Sequence, residues 1–194
     1  PAVAGNHIIK EINNINSFLD NAKKPNIAIV GGSKISTKIQ LLKNLILQFS
    51  SVAIGGAMAN TFLLANNHNI GNSLVEKDLV QEANNIQLKA KKVNCELILP
   101  SDALCGKNIN DINPVHRSIH EILSDEMILD IGEQSTQFIK NKITNSKMVL
   151  WNGPVGAFEF TPYDKATNAI AKIIKLNAKK LNINTLAGGG DTVS

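Results

Sequence analysis

Four short apolar runs in this chain each break into a glycine-containing turn at the point where a buried strand would end. Ala28-Ile29-Val30 leads into Gly31-Gly32, and Val52-Ala53-Ile54 into Gly55-Gly56. Met148-Val149-Leu150-Trp151 leads into Asn152-Gly153-Pro154, and Thr185-Leu186-Ala187 into Gly188-Gly189-Gly190-Asp191. Runs without polar alternation suit a parallel sheet covered on both faces. Glycine at the carboxyl end of a strand lets the backbone turn sharply and lets a ligand come close. Ligands of open α/β sheets bind along that edge. Four such turns in one chain point to a common guest, and phosphate is the one that glycine turns suit best.

Between these turns the hydrophobic period alternates. Strands are predicted over 26–30, 51–54, 95–99, 127–131, 147–151 and 183–187, and helices over 35–48, 57–66, 76–93, 133–145 and 163–177. A weaker helical stretch covers 117–124, and 101–116 reads as loop with room for a short hydrogen-bonded ribbon. Ile8, Ile12, Ile15 and Leu19 mark one further helix over 5–22, ended by Pro25. Strands separated by helices through short connections predict right-handed crossovers. The expected fold is α/β: a Rossmann-like three-layer sandwich with a parallel sheet of about six strands and helices on both faces.

Bulk properties narrow the partners. At 194 residues the chain is long enough for one sizeable core. No apolar stretch approaches the roughly 20 residues of a membrane span, and the start at Pro1 lacks the pattern of a signal peptide. The formal charge of +4 comes from scattered lysines, Arg117 being the only arginine, and aromatics are 4% of the chain. Stacking platforms for single strands are therefore scarce, and neither nucleic acid nor membrane is the expected partner. Cys95 and Cys105 form no CxxC pair and no disulfide framework, which suits a reducing cytoplasm. With no initiator Met and an end at Ser194, three residues past Asp191, the chain reads as a piece of a longer protein.

Three segments carry the chemistry. The first, Gly31-Gly32-Ser33-Lys34-Ile35-Ser36-Thr37-Lys38, is no Walker A loop. It sets two lysines four apart at a predicted helix start, on one face. Cations there oppose the helix dipole, a conflict that disappears when a polyphosphate occupies the N-terminus; the plainer alternative is a pair of solvated lysines. Ser36 and Thr37 read as caps of the same helix. The second segment, Gly188-Gly189-Gly190-Asp191, offers successive N–H groups to an anion and a carboxylate to Mg²⁺, or simply a helix N-cap at Asp191. The third runs from Trp151 to Glu159. It joins an amide able to reach a phosphate, small apolar residues for a flat base, and a carboxylate able to take both ribose hydroxyls. Trp151, Phe158 and Phe160 are expected in the core. His116 and His120 stand four apart as in a helical zinc pair but lack the glutamate of HExxH, and no metal is expected there.

Together these segments resemble phosphoglycerate kinase from end to end of the chain. The likeness is carried by residues 31–38, 55–62, 151–159 and 188–192, with 1–5 and 129–132 also similar, and the GGSK, WNGPVG and GGGDT forms look bacterial. The resemblance implies that 1–194 is a truncated nucleotide-binding, carboxyl-terminal domain, with 1–24 an interdomain helix and the substrate-binding amino-terminal domain absent. It implies phosphoryl transfer between ATP and 3-phosphoglycerate (1,3-bisphosphoglycerate and ADP in the reverse sense) by a monomeric cytoplasmic enzyme using Mg²⁺. Lys38 and Lys34 then resemble the lysines at the phosphates, with Gly188, Gly189 and Gly190 as N–H donors; Lys38, Lys34, Gly189 and Gly190 would be catalytic. Gly32, Gly55, Gly56, Leu129, Pro154 and Ala157 resemble the adenine pocket. Asn152 resembles a phosphate-side contact, Glu159 the ribose ligand and Asp191 the metal-side residue, while Ser33 and Thr192 fall within the same nucleotide-binding segments.

The sequence also departs from the family. Ala57 stands where many members have a third glycine, which would narrow the adenine floor, and Gly132-Glu133 replaces the commoner Gly-Pro. One arginine cannot supply forked recognition of an acid substrate, so the isolated piece is expected to bind nucleotide weakly and to turn nothing over. Three other readings compete: a non-catalytic nucleotide-binding module, a dinucleotide oxidoreductase, which lacks GxGxxG, and a lysine-rich nucleic-acid binder.

Overall fold

A computed structural model describes residues 23–180 and 183–188. Five strands form a parallel sheet: β1 (Asn26–Val30), β2 (Ser51–Ile54), β3 (Glu96–Ile98), β7 (Met148–Asn152) and β8 (Asn184–Gly188). Their order is β3-β2-β1-β7-β8. The chain therefore builds outward from β1 in one direction and, returning at β7, builds outward in the other. β1 and β7 lie side by side in register, Val30 opposite Asn152.

The strands bury both faces, as their unbroken apolar character requires. Ala28, Val30, Val52, Ile54, Met148 and Leu150 point to one side. There they meet α1 (Ile39–Gln48), α2 (Met58–Ala65) and α3 (Val80–Lys92) through side chains such as Leu42, Ile46, Phe62 and Ile86. The alternate positions Ile27, Ile29, Ala53, Val149 and Trp151 point to the other side. They pack on Ile139 and Ile143 of α4 (Glu133–Thr144) and on Ala166 and Ile170 of α5 (Lys165–Lys180). These layers are the expected sandwich, with helices on both faces.

One predicted strand lies elsewhere. The apolar run 127–131 forms β6 (Met127–Ile131), but in a second, three-stranded antiparallel sheet, paired with β4 (Asp102–Gly106) and touched on its other edge by a single bridge from Gly71 to Met127. β4 is also paired with β5 (Val115–Ser118), so the order is β5-β4-β6. A short apolar run does not encode which sheet receives it; that depends on the distant partner, here the fully buried β4. The ribbon foreseen within 101–116 is the β4–β5 pair, with Asp102 opposite Ser118. No helix covers 117–124: β5 is followed by a 3-10 turn over Ile119–Glu121. His116 and His120 thus share no helical face, and His120 instead meets His68 edge-on, with ring centroids 4.9 Å apart. The described residues contain no group of three or more metal-ligating side chains.

Long-range caps fasten the two sheets together. Asp102 of β4 accepts from the backbone N–H groups of Gln134 and Ser135 at 2.9 and 2.8 Å and from the Ser135 hydroxyl at 2.5 Å. It thereby caps α4 from another element, beside Glu133, whose charge also suits a helix N-terminus. Arg117 grips Glu126 with both Nε and Nη2, and the Arg117–Glu126 contact closes to 2.6 Å. Cys95 and Cys105 are free and buried, and burial pushes their thiols up to about 11 and about 12. No described helix is long and apolar enough to cross a membrane. The predicted helix over 5–22 lies outside the described residues.

Replacing Asp102 by Ala strands three donors at the start of α4. Loss of a cap and of buried hydrogen bonds should lower unfolding free energy by about 2–3 kcal/mol. Denaturant melts of the intact protein measure this, and a loss below about 0.5 kcal/mol would show that the cap is not needed.

Candidate functional site at the strand-order reversal

The carboxyl ends of β1 and β7 diverge into loops leading to opposite faces of the sheet, which leaves a crevice between them. Lys38 fills it. Its ammonium donates to Gly31 O at 2.6 Å, to Asn152 Oδ1 at 2.7 Å and to Asn152 O at 3.2 Å. One cation thus gathers carbonyl oxygens from the ends of both central strands. Neighbouring loops are laced to it by backbone bonds. Gly31 N donates to Asn152 O, Gly55 N to Val30 O, Gly56 N to Val155 O and Met58 N to Gly32 O, all within 3.0 Å. Gly188 ends β8 opposite Asn152, whose Nδ2 atom lies 3.6 Å from where a Gly188 Cβ would stand.

Gly153 shows how tightly the crevice is built. Its φ of +95° lies in the region that side chains disfavour, and a Cβ there would stand 2.4 Å from Gly31 O and 2.7 Å from Lys38 Nζ. Trp151, in the core as expected, donates its indole N–H to Gly153 O at 2.8 Å and fixes the turn from beneath. Ala57, by contrast, has φ of −65°, ordinary helical backbone, so this position makes no demand for glycine.

The helix after the first loop begins later than its sequence suggests. α1 starts at Ile39 with Lys38 as its N-cap and no side-chain cap, so Lys34 stands a turn ahead of the helix and is exposed. The two lysines therefore do not share a helical face. Nor do Ser36 and Thr37 cap α1. The Ser36 amide and hydroxyl donate to Glu76 at 3.0 and 2.5 Å, and Thr37 Oγ1 donates to Lys34 O at 3.0 Å. Burial works to raise the Glu76 carboxyl, but the Ser36 hydrogen bonds and the Lys34 charge hold it below its ordinary value. α1 has neither a side-chain cap nor an acid in its first turn, so its own dipole is positive at this end.

Beside this cationic end lies a more apolar shelf. Leu129 O accepts from Ala157 N at 2.7 Å, and Leu104, Leu129 and Tyr163 pack together with Ala157 against them. A small cleft between shelf and crevice is bordered by Gly56, Leu129 and Val155. Pro154 is buried next to it, and Glu159 projects from the exposed turn two residues beyond Ala157. Phe158 is half-buried and Phe160 is 37% exposed, so neither enters the core.

Lys38, Gly32, Gly55, Gly56, Asn152, Pro154 and Gly188 are thus brought together. Leu129 and Ala157 adjoin them, Glu159 lies on the same loop, and Ser33 and Lys34 lie on the exposed stretch before α1. Gly189, Gly190, Asp191 and Thr192 lie outside the described residues. A larger hollow of about 820 Å³ lies elsewhere, between β5 and α4, lined by residues including His116, Arg117, Glu121 and Glu133. Its arginine is already committed to Glu126 and three acids, Asp102, Glu121 and Glu133, share its walls, so it has no focus for an anion. Sequence reading passed over Asp130, a lone acid in the apolar run Met-Ile-Leu-Asp-Ile, which was the available signal.

Comparison with known proteins places the chain in a family. The sequence profile of phosphoglycerate kinase matches residues 1–194. The chain belongs to the phosphoglycerate kinase family. It is 45% identical to the phosphoglycerate kinase of Caulobacter vibrioides over 195 residues, and 42% identical to that of Xanthobacter flavus over 196. Each alignment covers 100% of this chain and 49% of the relative, so the chain spans about half the length of the curated relatives it matches. The solved structure of the phosphoglycerate kinase from Coxiella burnetii superposes with a TM-score of 0.89 at 35% identity, covering 96% of this chain and 47% of that one. The enzyme from Pyrococcus horikoshii, 23% identical, shares the fold with a TM-score of 0.71 over 86% of this chain and 43% of its own.

Gly153→Ala should push its methyl into Gly31 O and the Lys38 ammonium. Backbone strain of this kind costs about 1–3 kcal/mol, and thermal unfolding of the intact protein should register a loss in that range. An unchanged melting temperature would mean the crevice is not packed as described.

Proposed function

We propose that this chain is the nucleotide-holding half of an enzyme that moves a phosphoryl group between ATP and 3-phosphoglycerate. The observation that carries the reading is Lys38, held by three oxygens at the strand-order reversal, at the uncapped start of α1. Phosphate oxygens of ADP or ATP would meet this ammonium, exchanging with one of its carbonyl partners, while Lys34 adds charge from the rim. Gly188, Gly189 and Gly190 would present N–H groups beside Asn152. The adenine would lie on the Leu129–Ala157 shelf against Gly55, Gly56 and Pro154, with the ribose hydroxyls at Glu159.

This division suits the reaction. Phosphoryl transfer asks little covalent chemistry of a protein; it asks for alignment and for neutralisation of charge on the moving group. Lys38 would neutralise and Asn152 would orient. Mg²⁺ would arrive with the nucleotide, since this ion is commonly held by substrate phosphates and one or two carboxylates, and Asp191 is the carboxylate proposed for it. The ion would supply further charge neutralisation.

The acid substrate needs a separate basic surface. Arg117, the single arginine, is engaged by Glu126 on a different part of the molecule. We therefore assign 3-phosphoglycerate or 1,3-bisphosphoglycerate to the part of the protein beyond these 194 residues and expect this piece alone to be inactive. Buried, unreactive thiols suit a cytoplasmic setting.

Lys38→Ala in the intact enzyme tests the proposal against a non-catalytic nucleotide module. Removing one charge-assisted contact should weaken ADP about 10-fold or more, and kcat should fall by about 10²–10³. A module would lose affinity and have no rate to lose; an Ala variant with unaltered ADP affinity and kcat would dismiss the site.

A further inference from the structure

Asp130 is a carboxylate that the proposed reaction does not use, yet it is 2% exposed. Its oxygens accept from Ile131 N at 2.9 Å and from Ala166 N at 3.0 Å, so it caps α5 from the neighbouring strand β6. The same carboxylate lies directly under Gly156, where a Cβ would fall 2.1 Å from Oδ1 and 2.5 Å from Cγ. No residue but glycine fits above it. The adjoining residue, Leu129, binds Ala157 through its carbonyl, and Val155 N donates to Thr167 Oγ1 of α5 at 3.1 Å. The loop carrying Pro154, Ala157 and Glu159 is therefore tied at three successive points, 155, 156 and 157, to β6 and to the start of α5. Asp130 belongs to β6, accepts from α5 and lies against Gly156 of the loop, so its side chain meets all three elements.

We propose that Asp130 is a positioning residue for the nucleoside half of the site, its buried carboxylate setting the height of the Gly153–Phe160 loop over the adenine shelf. This rests on the nucleotide reading given above. It assigns Asp130 no contact with the ligand. The loop would hold its shape only while both carboxylate oxygens accept, one from Ile131 N–H and one from Ala166 N–H. A proton on either oxygen turns an acceptor into a donor facing an N–H group. Burial is the main influence on this group and pushes it up to about 7, against the two backbone hydrogen bonds; Asp164 raises it further and Lys165 lowers it. His116 of β5 and Glu133 and Lys140 of α4 border the same hollow as Asp130. Protonation thus falls in the range where a wild-type measurement can see it, and proton uptake opposes nucleoside binding.

The two halves of the ligand can be probed separately in the full-length enzyme, using adenosine for the shelf and inorganic tripolyphosphate for the crevice. Asp130→Asn keeps the shape but removes one acceptor. It should weaken adenosine about 10-fold while tripolyphosphate affinity stays within 2-fold. Lys38→Ala should do the reverse. Wild-type adenosine affinity should also drop between pH 8 and pH 6, a range in which adenosine itself does not titrate, and the drop should vanish in Asp130→Asn. Equal loss of both probes would mean general loosening and would overturn the proposal, as would unchanged adenosine binding. Should Asp130→Asn not fold, the wild-type pH profile decides alone, a flat line refuting the idea. If wild type binds neither probe and Lys38→Ala changes nothing, the nucleotide reading itself has failed, an outcome distinct from failure of Asp130's role alone.

Discussion

The contact between the Lys38 ammonium and the carbonyl ends of β1 and β7 is the constraint around which this molecule is arranged. Strand ends in a parallel sheet present rows of oxygens, and at an order reversal the chain departs on both sides and leaves them uncovered. A single flexible cation placed at the cap of α1 satisfies oxygens from both strands. The dipole of α1 disfavours a cation at that position, and the three oxygen acceptors offset the conflict. The crevice is thus polar by necessity of topology before any ligand is considered.

The second sheet serves this arrangement from the flank. β6 contributes Leu129 to the shelf and Asp130 to the loop anchor, while β4 caps α4 through Asp102. The antiparallel layer is consequently a support that fixes where two helices of the main sandwich begin. Where the loops are short, positioning helix N-termini is equivalent to positioning the loops before them.

Much of this was readable in the sequence, for identifiable reasons. Unalternating runs such as 27–30 and 148–151 suit strands buried on both faces, and their glycine turns lie at the edge that holds the crevice. Local spacing was less informative wherever a distant partner intervened. The start of α1 moved from 35 to 39 because Glu76, forty residues away, takes the Ser36 amide and hydroxyl. The 127–131 run looked like its fellows but answers to β4. His116 and His120 were four apart on paper and belong to different elements in space. Asp130 was passed over because a single acid in a strand carries no periodic signal, although its cost of burial is what marks it.

The two thiols offer an unplanned pair of reporters. Cys95 sits in the core of the parallel layer and Cys105 in that of the antiparallel one. Neither can ionise appreciably while enclosed, so an alkylating reagent reaches each only when its own layer opens. Comparing the two labelling rates would reveal whether the layers breathe as one cooperative body or as separate units. The chain carries its own probe of cohesion, with no label needing to be introduced.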